Sequence, residues 1–307
     1  MSNRYPFSHL VVGYQADERS DQALQAALDI RKRCSSSLRL ATAVDIPAPE
    51  WIAGDPVEVA ARNSTILEAT LQYVLSHAGE QLMGAGYDGP PVEEILSVVP
   101  GPPGRVIIDA ARSEDADIIF LGPHERRGFL DFGRTARTVL AHAPDGVWVQ
   151  PGPYEPVRSI LVAVDLSEHS LRALDVARAL AQQLDARLTV LNAFEPPDFA
   201  YPAGGGMIPG PSYVIDEVRD AARQGFEQTM AEQSFEGLEP DLVFVEGRPV
   251  EAILGQVADG GHDLVVLGSH GRTGLSSVVL GNVAYGVMRE ASVPTLALRH
   301  PGRDWLV

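Results

Sequence analysis

Along the chain, short continuous apolar runs alternate with longer stretches in which apolar residues recur every three or four positions. The runs Leu10–Gly13, Leu38–Val44, Glu94–Val99, Asp117–Leu121 and Val147–Gln150 predict strands. Between them, Ser20–Arg33, Val57–Met83 and Gly104–Ser113 predict amphipathic helices, the first capped by its serine. The same order then returns. Strands are predicted at Ile160–Val164, Arg187–Ala193, Asp241–Val245, Asp263–Leu267 and Pro294–Leu298, with helices at Ser170–Leu184, Tyr213–Gln233, Pro249–Asp259 and Val283–Glu290. Strands this uniformly apolar belong to a sheet covered on both faces. Strands separated by helices imply parallel pairing through right-handed crossovers. The fold class expected is α/β, with two tandem doubly wound domains. Each is a five-stranded parallel sheet with helices on both faces, over residues 1–150 and 157–300, joined by the linker Pro151–Pro156.

Residue-by-residue alignment supports a duplication. The segment Ile160–Leu174 aligns with Leu10–Leu24 at an offset of 150, placing Ser170 on Ser20. Gly247–Gly268 aligns without gaps on Gly101–Gly122 at an offset of 146, and beyond the glycine segment the offset becomes 148, placing Gly281 on Gly133. Each copy also has a Pro/Gly-rich loop after its second strand, Pro47–Trp51 in one and Pro196–Pro211 in the other. The triplet Gly204–Gly206 in the second loop reads either as part of a lid or as a loop without fixed structure.

Composition narrows the function. The 307 residues are 45% hydrophobic, enough for two cores. The net charge of −17 disfavours nucleic acid as a partner. No apolar run approaches the length of a membrane span and the N-terminus has no signal-like apolar region, so a cytoplasmic protein with no membrane partner is expected. Cys34 is the only cysteine; Arg31, Lys32 and Arg33 beside it can lower its pKa, and the plainer reading is a helix-end cysteine. Lys32 is the single lysine among 24 basic residues, a bias that fits a GC-rich genome or a salt-adapted host. Motifs for a P-loop, a nucleophile elbow and clustered His or Cys metal ligands are missing from the sequence.

The chemistry gathers where strands end. Asp165 follows the first strand of the second copy, and Gly268-Ser269-His270-Gly271 follows the fourth, with Gly281-Asn282-Val283-Ala284 opening a helix. In open α/β sheets ligands bind beyond the carboxyl ends of such strands. A carboxylate there can accept from ribose hydroxyls, while glycine-flanked N–H groups at a helix N-terminus hold phosphate. Asp165 reads equally as a turn or capping carboxylate, and the glycines as turn residues. His270 can contact phosphate or cap the loop, and Arg272 can reach phosphate or solvent.

The spacing Gly268-x2-Gly271-x9-Gly281, with Asp165 ending the first strand, resembles the universal stress protein family. The stretches Val164–Ser170, Gly268–Gly274, Gly281–Ala284 and Ser292–Leu298 carry the resemblance, which covers nearly the whole chain twice. It implies strand order 3-2-1-4-5, frequent dimers and, in one branch, ATP or another adenine nucleotide, with Mg2+ on the phosphates as an accompanying ion. By position it implies that Ala163 and Asp165 line the adenosine side and that Ala193 borders adenine. Leu267, Gly268, His270, Gly271, Gly281, Asn282, Val283 and Ala284 would surround ribose and phosphates. The family usually has Ser or Thr where Asn282 stands; an asparagine amide can donate to phosphate.

The first copy departs from this pattern. Gln15 stands at the Asp165 position, Glu125 at the Gly271 position, and the stretch between Gly128 and Gly133 is two residues shorter than that between Gly274 and Gly281. A carboxylate and an added Cβ in a phosphate loop oppose nucleotide binding there. Arg126, Arg127 and Arg134 can hold a different anion, or this half is a degenerate scaffold. The expectation is one nucleotide per chain, in the second half, used to sense or switch binding to an unidentified protein partner. The alternatives are a slow ATPase or phosphotransferase and a ligand-free interaction scaffold. The edge strands near Val147–Val149 and Thr295–Leu298 are candidate pairing surfaces, either within one chain as a pseudo-dimer or between two chains as a homodimer.

Overall fold

A computed structural model describes residues 7–44, 56–123, 133–196, 212–269 and 281–298. The first half runs β1 His9–Gly13, α1 Glu18–Cys34, β2 Ser37–Val44, α2 Pro56–Gly84, α3 Val92–Ile95, β3 Leu96–Pro100, α4 Pro103–Ser113, β4 Ile118–Leu121, α5 Arg134–His142 and β5 Gly146–Val149. The second half runs β6 Ser159–Ala163, α6 Glu168–Leu184, β7 Arg187–Phe194, α7 Ser212–Glu232, β8 Asp241–Glu246, α8 Pro249–Gly260, β9 Leu264–Gly268, α9 Asn282–Glu290 and β10 Thr295–Leu298.

All ten strands form one sheet in the order β3-β2-β1-β4-β5-β10-β9-β6-β7-β8. Every pairing within a half is parallel, and each half has the order 3-2-1-4-5. The halves join through an antiparallel pair, with Thr295 opposite Val149, Leu296 opposite Trp148 and Ala297 opposite Val147. At the repeat offset of 148, Trp148 and Leu296 are each other's counterparts. The pairing is therefore symmetric about them, as at the axis of an isologous dimer. The chain builds its own pseudo-dimer with the two strands that would otherwise be edges.

The alternation of side chains along each strand sends two sets of apolar residues to opposite faces. One face is a single core spanning both halves, with Val12, Phe120, Trp148, Val162, Val266 and Leu296 under α1, α2, α6 and α7. The other face carries two cores. Val11, Ile119, Val147 and Val149 meet α4 and α5, and Leu161, Leu191 and Val265 meet α8 and α9. Met288 of α9 reaches the first-half core. Trp148 is fully buried, stacks on Phe120 at 5.3 Å and donates Nε1 to Gln150 Oε1 at 3.1 Å. The linker is tied down as well: Tyr154 donates to Asp29 of α1 at 2.6 Å, and Gln150 Nε2 donates to the Gly152 carbonyl at 2.9 Å.

Three local expectations change. Ser20 and Ser170 are not the helix caps; Asp17 and Ser167 are, and the serines sit at the third helical position. The Asp17 carboxylate accepts from Ser20 N–H at 2.8 Å, and Ser20 Oγ accepts from Asp17 N–H at 3.2 Å, a reciprocal box that begins the helix three residues earlier. The strand expected from Glu94 opens instead with the one-turn helix α3, whose Glu93 and Glu94 favour a helix N-terminus after Pro91. Asp117 and Asp263 lie just before β4 and β9, where each carboxylate pins the chain entering the neighbouring first strand: Asp117 accepts from Ser8 and His9 N–H, and Asp263 from Arg158 N–H. Cys34 is buried, and burial pushes its thiol up to about 12 against the smaller pull of Arg33. The Gly204–Gly206 triplet lies outside the described residues.

Candidate functional site

The site of interest in the second half forms where the chain leaves β6 and β9. These strands are direct neighbours, with Ala163 in register with Leu267. After β6 the chain turns onto one face as α6; after β9 it returns through α9 on the other face. Opposed crossovers open a crevice at the carboxyl edge.

The turn after β6 is held by a small polar network. Asp165 Oδ1 accepts from Ser167 N–H at 3.0 Å and from Ser167 Oγ at 2.5 Å, and Ser170 Oγ accepts from Asp165 N–H at 3.2 Å. Leu166 adopts a left-handed φ of 64°, as does its first-half counterpart Ala16 at 54°. Such backbone in a non-glycine residue persists only where its surroundings enforce it. The structure therefore gives Asp165 a turn-capping role at the carboxyl end of β6. Behind it, Asn192 of β7 donates to the Val164 carbonyl at 2.8 Å, matching Thr42 and the Tyr14 carbonyl in the first half. Ala193 is on β7 beyond the Ala163–Leu191 register pair, one strand from the crevice centre.

Gly268 ends β9 for a packing reason. A Cβ there would lie 3.0 Å from the His169 carbonyl carbon and oxygen, so glycine lets the start of α6 close against the strand. Gly281 caps α9, and its N–H already donates to the Ser269 carbonyl at 2.7 Å. The first turn of α9 presents the N–H groups of Asn282, Val283 and Ala284, and among the described residues it has no side-chain cap. Asn282 and Val283 are exposed and Ala284 is buried. The sequence-predicted residues Ala163, Asp165, Leu267, Gly268, Gly281, Asn282, Val283 and Ala284 thus converge on one edge. His270, Gly271 and Arg272 lie outside the described residues.

The corresponding crevice of the first half encloses about 740 Å³. Its floor is Gly13, Ile107, Leu121 and Pro103; its mouth carries Arg19, Arg134, Arg137 and Thr135. Gln15 and Asp17 also line it. Of these, Arg19 and Arg137 escaped the sequence reading. Comparing the two copies position by position shows the signal, since the second half has His169 and Tyr285 there. Glu125, Arg126 and Arg127 lie outside the described residues. The first half also has a polar cluster without a counterpart: Tyr14 donates to Asp21 at 2.7 Å, and Asp21 meets His77 Nε2 at 2.9 Å, where the second half has Val164 and Leu171. Burial and the Asp21 carboxylate push the Tyr14 pKa far up, so its proton stays in place.

The fold defines a tandem doubly wound α/β protein with one carboxyl-edge crossover per repeat. Comparison with known proteins gives it a family. The profile of the universal stress protein family matches residues 6–151 and again residues 156–299. The chain belongs to the universal stress protein family. It is 32% identical over 144 residues to "Universal stress protein in QAH/OAS sulfhydrylase 3'region" of Thermus aquaticus, covering 46% of this chain and 98% of that protein. It is 29% identical over 144 residues to universal stress protein YxiE of Bacillus subtilis, covering 46% of this chain and 97% of that protein. A universal stress protein structure from Archaeoglobus fulgidus superposes with a TM-score of 0.65 at 19% identity, over 97% of this chain and 98% of that one. At that identity the likeness speaks for the fold alone, and it extends over both repeats.

Proposed function

We propose that the second half binds an adenine nucleotide at the carboxyl edge of β6 and β9, and that occupancy sets the protein's affinity for a protein partner. The observation that carries this reading is that Asp165, fixed in the turn after β6, and the first turn of α9 lie at a crossover between adjacent strands. Asp165 would accept from the ribose hydroxyls. The N–H groups of Asn282, Val283 and Ala284 would meet phosphate, which a helix N-terminus favours by about 0.3–2 kcal/mol. Ala163 and Leu267 would line the adenosine side and Ala193 would border adenine, with His270, Gly271 and Arg272 completing the phosphate loop. Magnesium would enter on the phosphate oxygens; among the described residues no group of three or more His, Cys, Asp or Glu side chains is placed to hold a metal ion.

Mass spectrometry of small molecules released from the purified protein should show an adenine nucleotide. Asp165→Ala and Gly271→Glu should each weaken ATP binding at least about tenfold by calorimetry, the equivalent of one charge-assisted hydrogen bond. Protein carrying no nucleotide and giving no ATP heat at millimolar ligand would overturn the reading. Binding without turnover is expected, so phosphate release with Mg2+ should match a protein-free blank.

A further inference from the structure

We propose that α2 is a self-association surface: a second copy of this chain packs on it, α2 against α2 in antiparallel orientation. Pairing through β5 and β10 cannot supply such a contact, because those strands are spent on each other inside the chain. The outward stripe of α2 is Ile66, Ala69, Tyr73, Ser76, Glu80 and Met83, all exposed, and it advances by alternating steps of three and four residues. That spacing is the seam along which two helices pack. The opposite side of the helix, with Val74, Ala78 and Leu82, is buried in the common core. On the stripe, Ile66, Tyr73 and Met83 are 42%, 61% and 80% exposed. Large apolar side chains left in water along one line of one helix mark an interaction surface.

The occupant this stripe fits is its own copy. A two-fold axis between Val74 and Leu75 sets Tyr73 opposite Ser76 of the second copy, Glu80 opposite Ala69 and Ile66 opposite Met83. A large side chain meets a small one in the first two pairs, and the two apolar ends close on each other in the third. Every contact occurs twice, as an isologous interface requires. Charge selects the same answer. Two copies carrying −17 each repel over most of their surface. From Asn63 to Gly84, however, the helix has only Glu68 and Glu80 as charged residues, with no Lys or Arg. In this register Glu68 faces Gln81 of the second copy and Glu80 faces Ala69, so no two carboxylates meet. The counterpart helix supplies the contrast. Asp216, Asp220, Arg223 and Glu227 of α7 are exposed, and Arg219 is tied to Asp216 and Asp220. The uncharged stripe therefore belongs to the first half, and association through it stops at two copies.

The test is analytical ultracentrifugation of the full chain over a concentration series, which should show a monomer–dimer equilibrium. Tyr73→Glu puts two carboxylates beside the axis and should weaken the dimer at least about tenfold, as like charges brought together do. Met83→Glu repeats the test at the most exposed position of the stripe, and a thermal scan should show both variants as stable as the parent. Leu242→Glu on the exposed edge strand β8 should leave the dimer in place. The register is read by a short bis-maleimide. A mixture of Ile66→Cys and Met83→Cys should cross-link, whereas each variant alone should not, because an antiparallel pair about this axis holds like positions about 25 Å apart. Cys34 is buried and does not compete. A monomer at every concentration, a dimer that Tyr73→Glu and Met83→Glu leave intact, loss of the dimer in folded Leu242→Glu, or cross-linking of Ile66→Cys with itself would each overturn the proposal.

Discussion

The two halves share a fold to the level of individual turns, yet about half of the positions that line the crevice, and the residues paired at the junction, differ between them. The turn after the first strand is left-handed at Ala16 and at Leu166, and in both copies a serine at the third helical position accepts from the backbone N–H of the residue after next to the strand, Gln15 or Asp165. Around that common frame the side chains diverge: Gln15 against Asp165, Arg134 against Asn282, Trp148 against Leu296. The backbone geometry that positions the sheet is shared, while side chains facing the crevice differ between the copies.

The junction shows what fusion permits. In a symmetric dimer the residue on the axis meets its own copy. Here Trp148 meets Leu296, so a large ring and a small side chain share the space. Trp148→Ala should have the largest effect on stability, about 3–5 kcal/mol, because it empties a fully buried site shared by both halves. Urea unfolding should then lose its single transition if the halves come apart. A single transition with unchanged midpoint would mean that the antiparallel pair does not couple them.

Gly122 and Gly268 sharpen the comparison at the crevice. A Cβ on Gly122 would lie 2.3 Å from the Arg19 carbonyl oxygen, whereas one on Gly268 would lie 3.0 Å from that of His169. Gly122→Ala should therefore destabilise by about 2–3 kcal/mol and Gly268→Ala by about 1 kcal/mol, within the range for overpacking. Equal midpoints for the two variants in urea would show that α1 and α6 close against the sheet equally.

The helix pairs on the crevice face carry a compensated swap. A Cβ on Gly104 would sit 2.7 Å from Thr138 Cβ, while in the second half Val250 packs where Gly286 leaves room, at 3.0 Å from a built Cβ. By the repeat offsets Gly104 matches Val250 and Thr138 matches Gly286. Gly104→Val alone should cost about 1–3 kcal/mol, and adding Thr138→Gly should recover part of it, a coupling of about 0.5–2 kcal/mol. Additive losses would show that the pairs are not exchanged solutions to one packing problem.

The smallest expected difference is one of pH. His262 is buried at the amino edge, its Nδ1 3.0 Å from Ser159 Oγ, where the first half has Ala116. Burial, with Arg187 adding to it, holds its pKa below the usual histidine range. The folded protein keeps the ring neutral while the unfolded chain protonates near pH 6.5, so this contribution is complete above about pH 6.5 and is lost as the pH falls below it. The melting temperature of the parent should drop more between pH 7.5 and 5.5 than that of His262→Gln. An equal drop would remove His262 from the acid sensitivity.

Much of this organisation is legible in the order of residues. Element type, the tandem repeat, the strand positions and the crevice residues Asp165, Gly268 and Gly281 follow from apolar periodicity and glycine spacing, because burial on both faces of a sheet leaves a continuous local pattern. Other features depend on residues far apart in the chain, and only the tertiary structure decided them. The close approach of Gly268 to the backbone of His169 and the hydrogen bond from Gly281 N–H to the Ser269 carbonyl are such features. Arg19 and Arg137 share a cavity with Arg134 only because α1 and α5 flank neighbouring strands. The antiparallel register that sets Trp148 on Leu296 was likewise invisible in either strand by itself, since an edge strand offers the same unpaired groups to any partner and the side chains packed beneath it select one.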